Sequence, residues 1–370
     1  MNTFYALLGN TPDLSRAELA AVTGNNVTSI LPTLAKVTTT HEAVELGNVL
    51  GGTLKLIQEL STTSDTNLYS DLSKLICGST HKNIAISNLS ALEIDPYDLR
   101  ALKDEVVKTR PMRFLSLETK DHSLVALRKQ HVGEYVIFSN EGQLTIGQTV
   151  WIHDADDWAI RDRSKPYRDI KRGMLPPKVA RIMANLACVG QTGLSLADPF
   201  CGTGTVLAEA ALIGCNTVFG SDTNPDAISG TEQNLAWLKQ NYALPDLNFS
   251  TTLLDATHLD QQLQLVDAIA TEPYMGPLMD ADRMPDSTKL KNIAKGLTKL
   301  YIGALRSWHK ILTGKGRVVI SIPSFILGNR TILTLTVDDY AELGYNYVSS
   351  VPYGKPGATV IRNITILQKN

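Results

Sequence analysis

The C-terminal half of the chain alternates between short apolar strands and helices, and this alternation restricts the fold more than any other feature. After a helical stretch at 178–189, the strand-like runs LSLAD, NTVFGSD and GRVVISIP are separated by helical runs such as TVLAEAALIG and NPDAISGTEQNLAWLKQN. Strands joined by helices of this length form a parallel sheet with helices on both faces. Residues 345–369 read as two strands joined by a Pro/Gly loop, which predicts a terminal antiparallel pair.

The N-terminal 150 residues hold short strands and helices in a less regular order and show no catalytic motif. The whole chain has 370 residues, which is more than twice the size of a domain of about 150 residues. We therefore predict an α+β accessory domain over 1–150, a basic linker over 151–177 and an α/β domain over 178–370.

The overall charge does not indicate a nucleic-acid partner, because the formal net charge is −2 and the isoelectric point is about 6.4. The stretch 161–181 is an exception, with eight Lys or Arg residues against two Asp. It is either a solvated linker or a strip that contacts phosphates, since basic side chains supply much of the affinity for nucleic acid. The candidate phosphate contacts are Arg168, Lys171 and Arg172.

The turn in LADPFCGTGTVLAEAALIG (196–214) runs from a strand through Asp198 and two glycines into a helix. It fails the dinucleotide fingerprint, because Leu207 stands where the third glycine is required, and it lacks the lysine of a phosphate-binding loop. Asp198 would repel a pyrophosphate but suits the amino and sulfonium cations of S-adenosylmethionine. Gly202 and Gly204 allow the backbone to approach such a ligand closely.

Four carboxylates follow predicted strands, and ligands bind at the carboxyl ends of parallel strands. They are Asp198, Asp222, Asp255 and Glu272. Asp222 is placed to accept hydrogen bonds from two ribose hydroxyls, and Asp255 to accept one from the adenine amine. Each aspartate taken singly also suits a helix cap or a turn, but together they predict a nucleoside site.

These segments resemble the first three motifs of class I S-adenosylmethionine-dependent methyltransferases: ADPFCGTGTVLAEAALIG, GSDTNPDAI and LLDATHL. The segments YALLGNTPDLSRAELAAV, RPMRFLSLETKDHSLVALRKQHVGEYVIF and RDIKRGMLPPKVARIMANLA are similar to THUMP-containing tRNA guanine exocyclic-amine (N2) methyltransferases, which act at the tenth tRNA position. The resemblance implies a Rossmann-like, seven-stranded methyltransferase domain, an N-terminal ferredoxin-like and THUMP region that binds tRNA, and S-adenosylmethionine as cofactor.

One motif departs from that family, which carries [DN]-P-P-[YF] after the fourth strand where this chain has ATEPYMGP. Counted from the strand end, Glu272 takes the acidic place and Pro273 that of the first proline. Counted from the aromatic residue, Thr271 takes the acidic place and Tyr274 is the tyrosine. Glu272, Pro273 and Tyr274 still provide an acceptor and a backbone carbonyl for the N–H groups of an exocyclic amine, and a ring that stacks on the extruded base.

We therefore predict an enzyme that transfers a methyl group from S-adenosylmethionine to an exocyclic amine of tRNA, with guanine N2 as the preferred acceptor. One alternative is a tRNA-binding protein that keeps the fold with little or no catalysis. Another is a DNA adenine amino-methyltransferase, because the acceptor motif also serves adenine. The THUMP-like segments argue against DNA, and a requirement for an accessory protein subunit is left open.

The remaining residue types predict no metal site and no membrane contact. Four separated cysteines and seven histidines form no metal-binding spacing. The first twenty residues lack the pattern of a signal peptide, and no apolar run approaches the roughly 20 residues of a membrane span. A cytoplasmic protein with reduced thiols is the expectation.

Overall fold

The computed structural model divides the chain into two compact units, Met1–Asp157 and Trp158–Asn370. The residues that it describes are 1–117, 122–169, 174–277, 287–328, 330–354 and 358–370. Helix α6 (Ala155–Arg163) contains the boundary between the units. The stretch 151–177, for which we predicted a basic linker, thus holds the end of a strand and a helix.

The first unit is built on one mixed, eight-stranded sheet with the order β2-β3-β1-β4-β8-β7-β5-β6, in which β5 runs parallel to β6 and β7. Its strands are β1 (Asn2–Leu8), β2 (Val27–Leu31), β3 (Leu34–Thr39), β4 (Thr53–Thr63), β5 (Asn83–Asn88), β6 (Arg113–Phe114), β7 (Val132–Asn140) and β8 (Gln143–Ile152). Its helices before α6 are α1 (Pro12–Thr23), α2 (Ala43–Val49), α3 (Leu68–Cys77), α4 (Pro96–Thr109) and α5 (Leu124–Lys129). This is the α+β architecture predicted for the region.

A buried ion pair lies within that sheet. The Nζ of Lys55 on β4 lies 2.6 Å from Oε1 of Glu134 on β7. The hydroxyls of Ser87 and Thr149 donate to the two oxygens of the same carboxylate. A buried charge is tolerated when it is paired and hydrogen-bonded in this way. The pair therefore serves the structure of the first unit.

The second unit contains the alternating part of the chain. Its strands are β9 (Ser195–Asp198), β10 (Thr217–Asp222), β11 (Asn248–Leu253), β12 (Val266–Thr271), β13 (Leu312–Leu327), β14 (Arg330–Leu333), β15 (Tyr345–Tyr353) and β16 (Val360–Lys369). Its helices after α6 are α7 (Pro177–Cys188), α8 (Thr205–Leu212), α9 (Pro225–Asn241), α10 (Ser287–Ile311), α11 (Val337–Glu342) and a 3₁₀ helix (Ala256–Gln261).

Seven of these strands form a sheet with the order β11-β10-β9-β12-β13-β16-β15, and β14 pairs with β13 outside this path. The five strands from β11 to β13 are parallel, whereas β16 is antiparallel to both of its neighbours. The predicted seven-stranded α/β sheet with a terminal antiparallel pair is confirmed.

The strand order places a topological switch point between β9 and β12. From β9 the chain moves outward to β10 and β11, and then returns to the other side of β9 as β12. The connections leave β9 and β12 in opposite directions, which opens a crevice at the carboxyl ends of these strands. The predicted site residues follow these same strands.

Helix α10 covers one face of the sheet with the buried side chains of Leu290, Leu297, Tyr301 and Trp308. The indole Nε1 of Trp308 donates to the carbonyl of Ala256 at 2.9 Å, so its polar atom is satisfied inside the core. Within the described part of the chain, no helix has both the length and the apolar character that crossing a membrane requires.

Candidate active site

A cavity of about 1010 Å³ opens at the carboxyl edge of the second unit's parallel strands. Its lining includes Asp198, Gly202, Asp222, Asp255 and Glu272. The four carboxylates that the sequence placed at strand ends therefore meet in one crevice. Asp198 and Asp222 end β9 and β10, Glu272 directly follows β12, and Asp255 lies two residues beyond β11.

The two glycines of the turn have different tasks. Both adopt left-handed backbone angles, with φ of 52° at Gly202 and 73° at Gly204. A Cβ on Gly202 would meet only the Phe200 carbonyl oxygen, at 3.9 Å, so this backbone is open toward a ligand. A Cβ on Gly204 would lie 2.8 Å from the Thr231 side chain. Gly204, predicted to contact the cofactor, does not line the cavity but lets the turn pack on α9.

Asp198 is an almost fully buried carboxylate at the base of the crevice. The Thr271 hydroxyl and the Phe200 amide both donate to its Oδ1, at 2.6 and 3.1 Å. Burial raises its pKa to about 7, and the nearby charges of Asp222 and Glu272 also raise it, against the two hydrogen bonds. Desolvation and like charge both destabilise the ionised form, so this position favours a cationic ligand.

The Asp222 carboxylate, at the end of β10, accepts hydrogen bonds from two separate backbone segments. Its Oδ2 accepts from the Gly202 amide at 3.1 Å, and its Oδ1 accepts from the Asn224 amide at 2.9 Å. These bonds hold the carboxylate at the cavity wall while each oxygen keeps a free lone pair. The arrangement suits a bidentate acceptor for two hydroxyl groups.

Asp255 combines a structural position with a place in the cavity wall. It caps the 3₁₀ helix, because Oδ1 accepts from the amide and the hydroxyl of Thr257 at 2.8 and 2.7 Å. These hydrogen bonds hold its pKa below the usual range. The capping interpretation that we weighed for each aspartate therefore holds here, and an adenine contact would use the remaining oxygen.

The segment after β12 forms the other side of the cavity. The Nε of Arg362 on β16 lies 2.7 Å from Oε1 of Glu272. Pro273 is buried, whereas the Tyr274 side chain is 57% exposed. The Tyr301 hydroxyl on α10 donates to the Tyr274 carbonyl at 2.7 Å and thereby positions this backbone.

Thr271 occupies a different environment from Glu272. The Thr271 side chain is fully buried, and its hydroxyl donates to the carboxylate of Asp198, which itself lines the cavity. Thr271 does not line the cavity, whereas Glu272 does. Of the two candidates for the acidic place, the geometry therefore presents Glu272 to the cavity and not Thr271.

The basic stretch 161–181 has two parts. Arg161, Lys165 and Arg181 are buried, and the two arginines each lie 2.7 Å from the Glu209 carboxylate. Their guanidinium groups also lie over the Trp158 ring, at 4.1 and 4.7 Å from its centroid. Charged groups used in this way inside the unit are not available to phosphates.

The three candidate phosphate contacts in this stretch differ in what the structure says of them. Arg168 is exposed, and its Nη1 donates to the Arg163 carbonyl at 3.2 Å. Lys171 and Arg172 lie outside the described residues. Among the residues that are described, no group of His, Cys, Asp and Glu side chains has the geometry of a metal site.

Two cationic side chains near the site were missed by sequence reasoning. The Nζ of Lys165 donates to the hydroxyls of Thr203 and Thr205, at 3.1 and 2.8 Å, and burial lowers its pKa to about 8. Lys165 therefore stabilises the glycine turn through Thr203 and the start of α8 through Thr205. Arg362 lies 90 positions after Glu272 in a β-strand with no motif, so nothing in the sequence linked the two residues.

Together, the strand order, the glycine turn after β9 and the carboxylate that ends β10 define a Rossmann-like methyltransferase fold of class I. Residues 165–327 match the family UPF0020, the RMKL-like methyltransferase domain. The match covers the part of the second unit that holds the glycine turn and the strands β9 to β13.

The named relatives are similar over part of the chain. Over 154 residues the chain is 33% identical to the tRNA (guanine(10)-N2)-dimethyltransferase of Methanothermobacter thermautotrophicus. This aligned region covers 42% of this chain and 40% of the relative. Over 109 residues it is 40% identical to the enzyme of the same name from Methanocaldococcus jannaschii, covering 28% of this chain and 29% of the relative. The chain thus spans less than half the length of these relatives.

A solved structure matches over nearly the full length of both chains. The crystal structure of TrmN from Thermus thermophilus covers 100% of this chain and 99% of its own, with a TM-score of 0.56 and 16% sequence identity. At this identity the similarity establishes the fold, and function has to be argued from the site.

Proposed function

We propose that this protein is an S-adenosylmethionine-dependent methyltransferase that modifies the exocyclic N2 amine of a guanine in tRNA. The observation that carries the proposal is the acidic crevice itself, in which an open glycine backbone and three carboxylates face Glu272, Pro273 and Tyr274. The names of the two archaeal relatives support the choice of tRNA and of guanine N2.

The residues of the crevice fit S-adenosylmethionine. Among the described residues Asp198 has no cationic partner, and its pKa is raised, so the positive amino and sulfonium groups of this molecule would relieve an existing electrostatic cost. Asp222 would accept from the ribose hydroxyls, Asp255 from the adenine amine, and Gly202 would permit close backbone approach. When bound, the cofactor supplies an electrophilic methyl group.

The acceptor side of the cavity supplies what a conjugated amine needs. Such a nitrogen is a poor nucleophile because its lone pair is delocalised into the base. Glu272 and the Pro273 carbonyl would accept its N–H groups and direct the lone pair toward the methyl group. Tyr274 would stack on the extruded base, and Glu272 would hold the proton that the nitrogen loses as the N–C bond forms. Positioning of this kind lowers a barrier by up to about 7–11 kcal/mol.

A basic helix beside the site supports an RNA substrate. Helix α10 contains six Lys or Arg residues and no Asp or Glu. Lys291, Lys295 and Lys299 are exposed at helical spacing, so they form one row on its surface. The same helix contacts the acceptor segment through Tyr301. The row, together with Arg168 and the proposed tRNA-binding first unit, would hold the RNA backbone.

The test is methylation of unmodified tRNA by the purified protein with labelled S-adenosylmethionine, followed by digestion and mass spectrometry of the nucleosides. N2-methylated guanosine is the expected product. Methylated adenine in duplex DNA, offered in parallel, would favour the DNA methyltransferase alternative. Tight binding of cofactor and tRNA without transfer would identify a catalytically silent binding protein instead.

The same assay addresses the remaining partners. Transfer by the single purified chain would show that no accessory subunit is required, whereas activity restored only by a cell extract would indicate one. A tRNA substrate also supports placing the protein in the cytoplasm, and fluorescence microscopy of the tagged protein tests that location.

A further inference from the structure

The ion pair between Glu272 and Arg362 is the feature of the cavity that the reaction chemistry does not require. Methyl transfer to an amine needs an acceptor for its protons and not a cation beside that acceptor. Yet both side chains line the cavity, with 20% and 42% of their surfaces exposed. Arg362 lies on β16, where its register partners are Tyr353 on β15 and Pro323 on β13.

The ion pair leaves several polar atoms available. Within the described part of the chain, Glu272 is the hydrogen-bond partner of the Arg362 guanidinium, through Nε and Oε1 at 2.7 Å. The two terminal nitrogens of the guanidinium keep their N–H donors, and Oε2 of Glu272 keeps its lone pairs. From Oε2 through Oε1 to the guanidinium, the cavity wall therefore presents two acceptors followed by a donor.

This order complements one edge of guanine. Along its Watson–Crick edge guanine carries the N2 amine, the N1–H and the O6 oxygen, which are two donors followed by an acceptor. Enzymes that act on extruded bases read them through hydrogen bonds to this edge. Charge-assisted hydrogen bonds to Arg and Glu are also the stronger kind.

We propose that Glu272 and Arg362 form a guanine-recognition subsite, in which Glu272 accepts from N2–H and N1–H and Arg362 donates to O6. Arg362 is then a specificity-determining residue. This inference rests on the proposed function, because it names the group that selects the base in that reaction.

The subsite discriminates because other purines leave its groups without partners. Adenine has a lone pair at N1 and carries its amine where guanine has O6. Adenine can satisfy two of the three positions if its amine donates to Oε1 and its N1 accepts from Arg362. The amine then lies at Oε1 instead of Oε2, where the amine of guanine lies. 6-Thioguanine keeps the N2 amine and the N1–H but has a sulfur, a weak acceptor, where guanine has O6, so it weakens only the contact to Arg362. A well-placed pair of hydrogen bonds to a base edge favours the correct base over a wrong one by roughly tenfold to a hundredfold.

The test compares kcat/KM for two tRNAs that carry guanine or 6-thioguanine at the nucleotide methylated by the wild-type protein. The wild type should prefer guanine, and Arg362→Leu should reduce this preference by about tenfold or more. Arg330→Leu is the matched control, since Arg330 is exposed on β14 and does not line the cavity. It should leave both activities unchanged.

A role limited to holding Glu272 gives a different result. In that case Arg362→Leu would slow both substrates by the same factor and leave their ratio unchanged, which would overturn the inference while leaving the proposed function intact. Unchanged cofactor affinity and melting temperature would confirm that the variant is folded. Failure of the wild-type protein to methylate guanine at all would contradict the proposed function, and this inference with it.

Discussion

The Asp222 carboxylate connects the glycine turn to the start of α9 through the amides of Gly202 and Asn224. Asp222→Ala should weaken S-adenosylmethionine binding by about tenfold to a hundredfold, because it removes a charged acceptor for two hydroxyls and leaves two amides without a partner. Isothermal titration calorimetry measures this loss. Asp226→Ala, an exposed position in the same helix outside the cavity, is the control. Retained affinity in Asp222→Ala would exclude the ribose role.

Glu272 is expected to act on the acceptor and not on the cofactor. Glu272→Ala should lower methyl transfer by about a hundredfold or more, while the Kd for S-adenosylmethionine changes little. Glu272→Gln keeps a carbonyl acceptor at the same position and should retain more activity than the alanine variant. An active Glu272→Ala protein would move the acceptor role to another residue.

Asp198 makes cofactor binding depend on pH. Its pKa is raised to about 7 by burial and by neighbouring carboxylates, and only the ionised form attracts a cation. Affinity should therefore be greatest above pH 7 and fall as the pH is lowered through 7, by at most about tenfold per unit. Calorimetric titration between pH 5.5 and 8.5, which is about the range needed, tests this. Asp198→Asn should bind weakly at every pH, and an unchanged pH profile in that variant would refute the assignment.

At the scale of elements, α10 has two faces with separate tasks. Its buried face covers the sheet and its Tyr301 hydroxyl holds the acceptor segment, while the row of lysines at 291, 295 and 299 is exposed. A helix with side chains is only about 10–12 Å across. A bound RNA can therefore contact the row and reach the cavity mouth at the same time.

Replacing Lys291, Lys295 and Lys299 together by Gln should weaken tRNA binding without affecting cofactor affinity. If each lysine neutralises a phosphate, the slope of log K against log salt should decrease by about 2–3. Filter binding over a range of salt concentrations measures the slope. Lys315→Gln is the control, because Lys315 is exposed at the start of β13, the end opposite the crevice. An unchanged slope in the triple variant would remove α10 from the RNA surface.

At the scale of the whole molecule, the acidic crevice lowers the stability of the ligand-free protein. The folded protein keeps the Asp198 proton up to pH about 7, whereas the unfolded chain loses it near its ordinary value of 3.8. The free energy of unfolding contributed by this group therefore falls as the pH rises from about 4 to 7 and stays low above that. Asp198→Asn should be more stable than the wild type at pH 8, by on the order of 2–4 kcal/mol. Urea denaturation at pH 4.5 and pH 8 compares the two proteins, and an equal difference at both pH values would contradict the prediction.

The family resemblance implied seven strands for the sheet. The sequence patterns were sufficient to predict a parallel α/β sheet, its terminal antiparallel pair and the acidic positions around the crevice. These follow from local patterns: apolar periodicity, turn residues and carboxylates directly after strands. It was less informative for the basic stretch, where Arg161, Lys165 and Arg181 look the same as Arg168 in the sequence but are buried in the structure. Whether a cation is buried depends on packing partners, such as Glu209, that lie elsewhere in the chain.

The sequence by itself therefore determined which residues end the strands and which turn opens α8, because these are properties of neighbours along the chain. The tertiary structure alone decided that Arg362 pairs with Glu272, that Lys165 supports the glycine turn, and that Thr271 bonds to Asp198 while Glu272 lines the cavity. The physical reason is that these contacts join strands and loops from distant parts of the chain, and the crossover between β9 and β12 brings them together. The periodicity of the sequence does not predict such a crossover connection.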